Sequence, residues 1–251
     1  MKLHQTQLRA LWWRAQLLEP RPQPGDPAGI VRTIGAIQSQ EPPAAALALR
    51  ARGGGFDASQ VESARVEDRS VVRTWCQRGT IHLVATEDLG WMLELLRETL
   101  IAGRASRWRN LALDETTYEK ARRSLRKALA DGPLTRAEIG ERWRASGIDA
   151  TGQRLPHLIS RAAIDGDICD GPDRGRDRSW VLLEEWTNLP QGPEGNRPWG
   201  SWPGGIWWDT APPSRVTSPS GRGSRSRTPA APGRRSKTSS RSSRLPGGRA
   251  G

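Results

Sequence analysis

The sequence feature that most constrains the fold is a pair of β-rich segments separated by a tight turn. Residues 71–75 and 80–84 are rich in β-branched side chains, and they flank the tripeptide Gln77-Arg78-Gly79, as in a β-hairpin. Before them, apolar residues recur at three- and four-residue spacing in stretches that end at proline or glycine, which indicates short helices. Short helices followed by a hairpin are the plan of a winged helix, in which the hairpin is the wing.

The same order of segments returns after residue 131 in a shorter form. Thr135 precedes a helical segment that has Glu138 three residues later, which is the pattern of a capping box. A second helix includes Leu155 and Leu158, and a hairpin joins residues 167–169 to 180–183. The sequence therefore predicts a mainly α fold with small β-hairpin wings. We expect tandem winged-helix (helix-turn-helix) domains at residues 1–112 and 113–188.

Five tryptophans follow the periodicity of these predicted helices and strands, and we interpret them mainly as core residues: Trp12, Trp13, Trp75, Trp91 and Trp143. The segment Ile37-Gln38-Ser39-Gln40 is expected to close the second helix, because the proline pair that follows it starts a third helix.

The composition changes at about residue 189. The last 63 residues contain 11 basic and 2 acidic side chains, so they carry +9 of the net charge of +12. Pro, Gly, Ser and Arg dominate there, and the apolar residues are too few to offset the entropy of ordering. We therefore expect a disordered basic tail at residues 189–251, which would bind nucleic acid through charge alone. Its tryptophans, among so many Arg, Pro, Gly and Ser residues, suggest the hypothesis of a frameshift near residue 189 in GC-rich coding DNA.

The cysteines and the apolar segments indicate a cytoplasmic protein. Cys76 and Cys169 lie far apart and match neither a metal-ligand nor a disulfide spacing, so we expect both to be reduced packing residues. There is no run of 18 apolar residues, which excludes a spanning helix. The first 18 residues indicate an amphipathic helix and lack the uninterrupted apolar stretch of a signal peptide.

Three segments form a specific combination of motifs. Residues 36–42 read Ala-Ile-Gln-Ser-Gln-Glu-Pro, residues 72–84 contain Arg-Gly-Thr-Ile-His, and residues 132–138 and 152–155 lie in the second predicted winged helix. This combination resembles the AlkZ-like family of bacterial DNA glycosylases, which has a Gln-x-Gln motif and an Arg-Gly-Thr-x-His wing. The resemblance covers about residues 1–186. The family pattern continues into a third winged helix and a β-barrel, whereas the basic tail follows here.

The resemblance implies that Gln38 and Gln40 form the catalytic pair of a monofunctional glycosylase that excises alkylated purines and unhooks interstrand cross-links. Neutral amides can orient a water molecule, and an N-alkylated purine already carries positive charge, so its N-glycosidic bond needs no strong general acid to break. No cofactor and no metal are implied. The alternative interpretation is that the two glutamines form a solvated helix end.

The implied partner is double-stranded DNA that is alkylated or cross-linked. The resemblance implies a monomer that binds this DNA in the nucleoid, with no membrane as a partner. Four arginines are candidate phosphate contacts: Arg73, Arg78, Arg136 and Arg154. Arg73 has a competing structural role as an ion-pair partner of Glu67 or Asp68, and the two arginines of the second domain could equally be solvated surface residues. His82 lies among apolar strand residues, and we interpret it as a packed histidine in preference to a catalytic one.

Two other functions stay open at this point. A noncatalytic winged-helix transcription regulator would dimerise and read bases in a major groove, whereas a repair enzyme binds lesions with little sequence preference. The third interpretation is an inactive, truncated product.

Overall fold

The structure, a computed structural model, describes residues 4–19, 25–53 and 55–187. In these ranges the helices are α1 (Gln5–Ala15), α2 (Pro27–Ile34), α3 (Pro42–Gly53), α4 (Ala58–Val66), α5 (Thr86–Asn110), α6 (Glu115–Leu129), α7 (Arg136–Ala145), α8 (Arg154–Ile164) and α9 (Leu183–Trp186). The strands are β1 (Ile37–Gln38), β2 (Val71–Trp75), β3 (Ile81–Ala85), β4 (Leu134–Thr135), β5 (Ile168–Asp170) and β6 (Ser179–Leu182). The tail for which we predict disorder lies outside the described residues.

Local capping residues determine where several helices begin. The side chains of Asp26, Asp57 and Asp114 accept hydrogen bonds from main-chain N–H groups in the first turns of α2, α4 and α6. Thr135 and Glu138 form the reciprocal capping box of α7 that the sequence predicted.

The first sheet confirms the predicted hairpin and adds a third strand. β2 pairs antiparallel with β3, and β1 pairs antiparallel on the other side of β3, giving the order β1-β3-β2. The prediction that residues 37–40 close the second helix is wrong, because α2 already ends at Ile34. Gly35, with φ of 90°, reverses the chain there, and its N–H bonds to the Val31 carbonyl. The chain then extends and pairs with β3.

The second half repeats this order of elements. α6, β4, α7, α8, β5 and β6 follow one another as α2, β1, α3, α4, β2 and β3 do, and the second sheet has the order β4-β6-β5. The predicted second hairpin is therefore confirmed, with an additional short strand, β4, beside it.

Three clusters of apolar residues form the core. The first lies under α2, α3 and α4 around Leu49, and the second lies between α6, α7 and α8 around Trp143. The third cluster joins the two halves, because it brings Cys76 of the first half together with Cys169 of the second. Both thiols are free and fully buried, as the sequence predicted. Burial raises the pKa of Cys76 to about 12, so this thiol is not ionised at neutral pH.

The prediction that the five tryptophans are mainly core residues is correct for only some of them. Trp143 is 1% exposed, and Trp75 and Trp91 are partly buried. The prediction is wrong for Trp12 and Trp13, which are 57% and 52% exposed, since no residue of α1 is buried against the described part of the chain. Periodicity identified an apolar stripe on α1, but a stripe does not specify what covers it. None of the helices described is long and apolar enough to cross a membrane.

Candidate active site and DNA interface

The two candidate catalytic glutamines lie side by side on the surface. Gln38 ends β1, Gln40 follows two residues later, and both side chains are exposed. The Gln38 Nε2 group donates a 2.6 Å hydrogen bond to Gln40 Oε1. Neither side chain makes another hydrogen bond to a described residue, so Gln38 Oε1 is a free acceptor and Gln40 Nε2 a free donor. The pair therefore has an acceptor and a donor left for a water molecule or a hydroxyl group.

Extended backbone explains why both glutamines point the same way. Ser39, between them, is 1% exposed, and its N–H donates a 2.7 Å hydrogen bond to the Ile81 carbonyl on β3. Side chains two residues apart lie on the same face of an extended chain, whereas they do not face each other on a helix. The segment that begins with β1 and continues through the Ser39 hydrogen bond therefore brings the two amides together in a way that the predicted helix end would not.

His82 is the cross-strand neighbour of Gln38. The register of the sheet places Gln38 opposite His82, and His82 opposite Thr74. His82 is 2% exposed, and its Nδ1 atom lies 2.9 Å from the Thr80 carbonyl oxygen. Burial lowers the pKa of His82, and the charge of Arg78 acts in the same direction. His82 is thus a packed, neutral histidine at pH 7, as the sequence interpretation expected.

Arg78 occupies the tip of the first hairpin. Its side chain is exposed and makes no hydrogen bond or ion pair with other residues in the described ranges, and its φ is 54°. The next residue, Gly79, also has positive φ, and its carbonyl accepts a hydrogen bond from Arg104 of α5. The turn that presents Arg78 continues directly into β3, the strand that holds β1 and the glutamine pair.

Arg73 lies in the interior and not on the surface. It is 2% exposed, with its Nε atom 2.7 Å from Asp170 Oδ2 and its Nη2 atom 2.6 Å from Asp173 Oδ1. Of the two roles that the sequence left open, the geometry supports ion pairing, although the partners are not Glu67 or Asp68. The guanidinium group has no free surface to offer to a phosphate.

The Arg73 pairs belong to a larger charge cluster that crosses between the halves of the chain. It contains three guanidinium groups and three carboxylates: Arg65, Arg73, Arg178, Glu62, Asp170 and Asp173. Burial raises the pKa of Asp170, while the adjacent arginines act in the opposite direction. Arg178 also donates from Nη2 to the Ser39 and Gln40 carbonyls, at 3.1 and 3.4 Å. The cluster therefore reaches the main chain of the Gln-x-Gln segment.

The sequence did not identify this cluster. The turn of the second hairpin, residues 171–178, is rich in Gly, Arg and Asp, and nothing local distinguishes Arg178 from Arg174 or Arg176. Only the packing of the second hairpin against β2 selects Arg178 for the contact with the glutamine segment.

The other two candidate arginines differ in exposure. Arg136, the first residue of α7, is exposed and has no ion-pair partner within the described part of the chain. Arg154 is partly buried and donates to the main-chain carbonyls of Leu111, Ala112 and Asp149. Its guanidinium group thus holds the end of α5, which is a structural role.

A cleft of about 350 Å³ has Arg178 among its lining residues. Three arginines, two tryptophans and the cap of α7 line most of it: Arg136, Arg176, Arg178, Trp75, Trp180 and Thr135. Arg136 and Arg176 are exposed in this lining and guanidinium groups attract phosphates, whereas the exposed carboxylate of Asp177 repels them.

A family model of AlkZ-like DNA glycosylases matches residues 31–218. The chain belongs to the AlkZ-like DNA glycosylase family. The match includes the glutamine pair and both hairpins, and it extends beyond residue 186, where the resemblance of the sequence motifs ends.

One relative and one solved structure, both from Streptomyces sahachiroi, are similar to this AlkZ-like chain. An interstrand DNA cross-link repair glycosylase is 30% identical over 207 residues, covering 76% of this chain and 54% of the relative. The solved structure of the DNA glycosylase AlkZ matches with a TM-score of 0.63 and 25% identity, over 78% of this chain and 55% of that one. The chain thus spans about half the length of both relatives.

Proposed function

We propose that this chain binds double-stranded DNA as a monomer and hydrolyses the N-glycosidic bond of alkylated or cross-linked purines. The reaction proposed is that of a monofunctional glycosylase, in which a water oxygen bonds to the sugar carbon while the carbon–nitrogen bond to the purine breaks. The cationic purine leaves as a neutral base, and the proton released by the water passes to solvent. It would act on the DNA of the nucleoid, in the cytoplasm. Family membership supports the DNA glycosylase class, and the lesion and the mechanism are our proposals.

The observation that carries the proposal is the side-by-side arrangement of the Gln38 and Gln40 amides. A water molecule that donates to Gln38 Oε1 and accepts from Gln40 Nε2 has a lone pair left to attack the sugar carbon. Neither amide ionises, so the pair orients water without acting as a strong acid or base. A positively charged purine is already a good leaving group, and this modest assistance is sufficient.

We propose further that the two halves are tandem winged-helix domains, at residues 1–112 and 113–188. The repeated order of helix, strand, two helices and hairpin supports this assignment. Arg78 at the tip of the first hairpin and Arg136 at the start of α7 are the proposed phosphate contacts, since both are exposed and unpaired among the described residues. Arg73 and Arg154 are not proposed, because both guanidinium groups are engaged within the protein.

Release of 7-methylguanine from duplex DNA tests the proposal. We expect the chain to release free 7-methylguanine and to leave an abasic site in an uncut strand. The Gln38→Ala, Gln40→Ala double variant should release the base about 100-fold more slowly, and Gln5→Ala, at an exposed glutamine on α1, should keep the wild-type rate. Sequence-selective binding of undamaged DNA without release of any base would overturn the proposal and favour a transcription regulator.

A further inference from the structure

The main chain of the Gln-x-Gln segment is fixed from two directions. On one side, the Ser39 N–H donates to the Ile81 carbonyl on β3 at 2.7 Å. On the other side, Arg178 Nη2 donates to the Ser39 and Gln40 carbonyls at 3.1 and 3.4 Å. β1 comprises only Ile37 and Gln38, so its pairing with β3 ends before Gln40. Arg178 therefore supplies the contact that sheet pairing does not provide at Gln40.

Arg178 is itself anchored by a buried carboxylate. Its Nε atom lies 3.6 Å from Asp170 Oδ2, and the same oxygen accepts a 2.7 Å bond from Arg73 Nε. The Asp170 side chain is 0% exposed, and the Arg178 side chain is 23% exposed. The planar guanidinium group can reach a carboxylate from Nε and two carbonyls from Nη2 at the same time, which a lysine ammonium at the end of its flexible stem cannot reproduce.

We propose that Arg178 is a positioning residue for the glutamine pair, held in place by Asp170. The second half of the chain would thereby set the geometry of a reaction centre whose amides both lie in the first half. Arg178 acts through the backbone, since its contacts are to the carbonyls of Ser39 and Gln40 and not to the two amides. The catalytic part of this inference rests on the proposed function of Gln38 and Gln40.

Amide hydrogen exchange tests the positioning role without any DNA. Arg178→Gln should speed exchange of the Ser39 amide by about tenfold, the effect of losing a charged hydrogen bond next to it. Exchange of the β5 and β6 amides should stay unchanged. Arg174→Gln is the matched control in the same hairpin turn, because Arg174 contacts Glu138 and the Pro133 carbonyl instead of the glutamine segment.

Unchanged exchange at Ser39 in a folded Arg178→Gln variant would overturn the proposal, and so would acceleration spread evenly over both halves. If Arg178→Gln does not fold, Arg178→Lys replaces it as the test variant. Lysine keeps the positive charge but lacks the planar guanidinium group with its several N–H donors. Arg178→Lys should therefore show the same local acceleration of amide exchange at Ser39.

Single-turnover release of 7-methylguanine tests the catalytic consequence. Arg178→Gln should slow release by about 100-fold, as expected for a small misplacement of reacting groups. Its DNA affinity and the salt dependence of that affinity should equal those of the wild type. A salt slope lowered by about 1 would identify a phosphate contact instead and overturn the positioning role. If the wild type releases no base, the proposed function fails, and hydrogen exchange still decides whether Arg178 fixes the segment.

Discussion

Arg73 on β2 and Asp170 on β5 form a buried ion pair of 2.7 Å between residues 97 positions apart in the chain. The pair ties the first half of the chain to the second. Removing either partner leaves the other with only a more exposed counter-ion, Asp173 for Arg73 or Arg178 for Asp170, and such a loss in the interior costs more than the intact pair contributes. The fold of the two halves should therefore depend strongly on this contact.

We expect Arg73→Met and Asp170→Asn each to lower the free energy of unfolding by about 3 kcal/mol. Urea denaturation of the wild type and of these two variants measures this difference in unfolding free energy. Arg174→Met is the control, since Arg174 and Glu138 are 49% and 40% exposed in their ion pair and the substitution should cost less than about 1 kcal/mol. Equal losses in all three variants would contradict the special role of the buried pair.

Arg73 pairs with Asp170 and Asp173 and not with the neighbouring Glu67 or Asp68, which illustrates which parts of this protein the sequence predicts. A capping box such as that of Thr135 and Glu138 acts within three positions, and the predicted start of α7 is correct. The hairpins are correct for the same reason, because turn residues and β-branched runs are local signals. Asp170 could not be identified as the partner of Arg73, because no local pattern connects residues so far apart.

The short strands β1 and β4 were missed for a related reason. Each has only two residues and exists because a distant strand, β3 or β6, offers it a partner. The motif identified the glutamine pair correctly as two neighbouring amides, but the sequence placed it at a helix end. Only the strand pairing explains how the two side chains come to share a face.

Stability should fall as the pH decreases below about 7, with His82 as one cause. Burial lowers the pKa of His82 in the folded chain, whereas an unfolded histidine titrates near about 6.5. Between these two pKa values the unfolded chain binds a proton that the folded chain does not, so acid favours unfolding. His82→Gln should show a smaller loss of unfolding free energy between pH 7.5 and pH 5.5 than the wild type does. Identical pH dependence in the two proteins would contradict the buried, neutral histidine.

Two glycines should respond oppositely to alanine. Gly79 has φ of 68°, and an added methyl group would also overlap the Arg104 guanidinium group. Gly79→Ala should therefore destabilise the fold by at least about 1 kcal/mol. Gly103 lies within α5 with open space around it, so Gly103→Ala should stabilise by about 0.5 to 1 kcal/mol. Thermal unfolding of both alanine variants measures the direction of each change in stability. A Gly79→Ala protein as stable as the wild type would contradict the strained turn.

Arg78 and Arg136 should each contribute one phosphate contact. Arg78→Gln and Arg136→Gln should weaken binding to duplex DNA of any sequence, and each should reduce the slope of log affinity against log salt by about 1. Arg142→Gln provides the control, because Arg142 is an exposed arginine in the last turn of the same helix as Arg136. Fluorescence anisotropy at several salt concentrations gives the slopes. Unchanged slopes in both test variants would remove these two residues from the interface.

The decisive measurement is the single-turnover rate of 7-methylguanine release by Gln38→Ala, Gln40→Ala and the double variant, with DNA affinity determined separately. If one water is held between the two amides, each single substitution should slow release by about 100-fold, and the double variant should be no slower than the slower single one. Affinity for DNA should change little. Release at the wild-type rate by either single variant would contradict the shared role of the two amides.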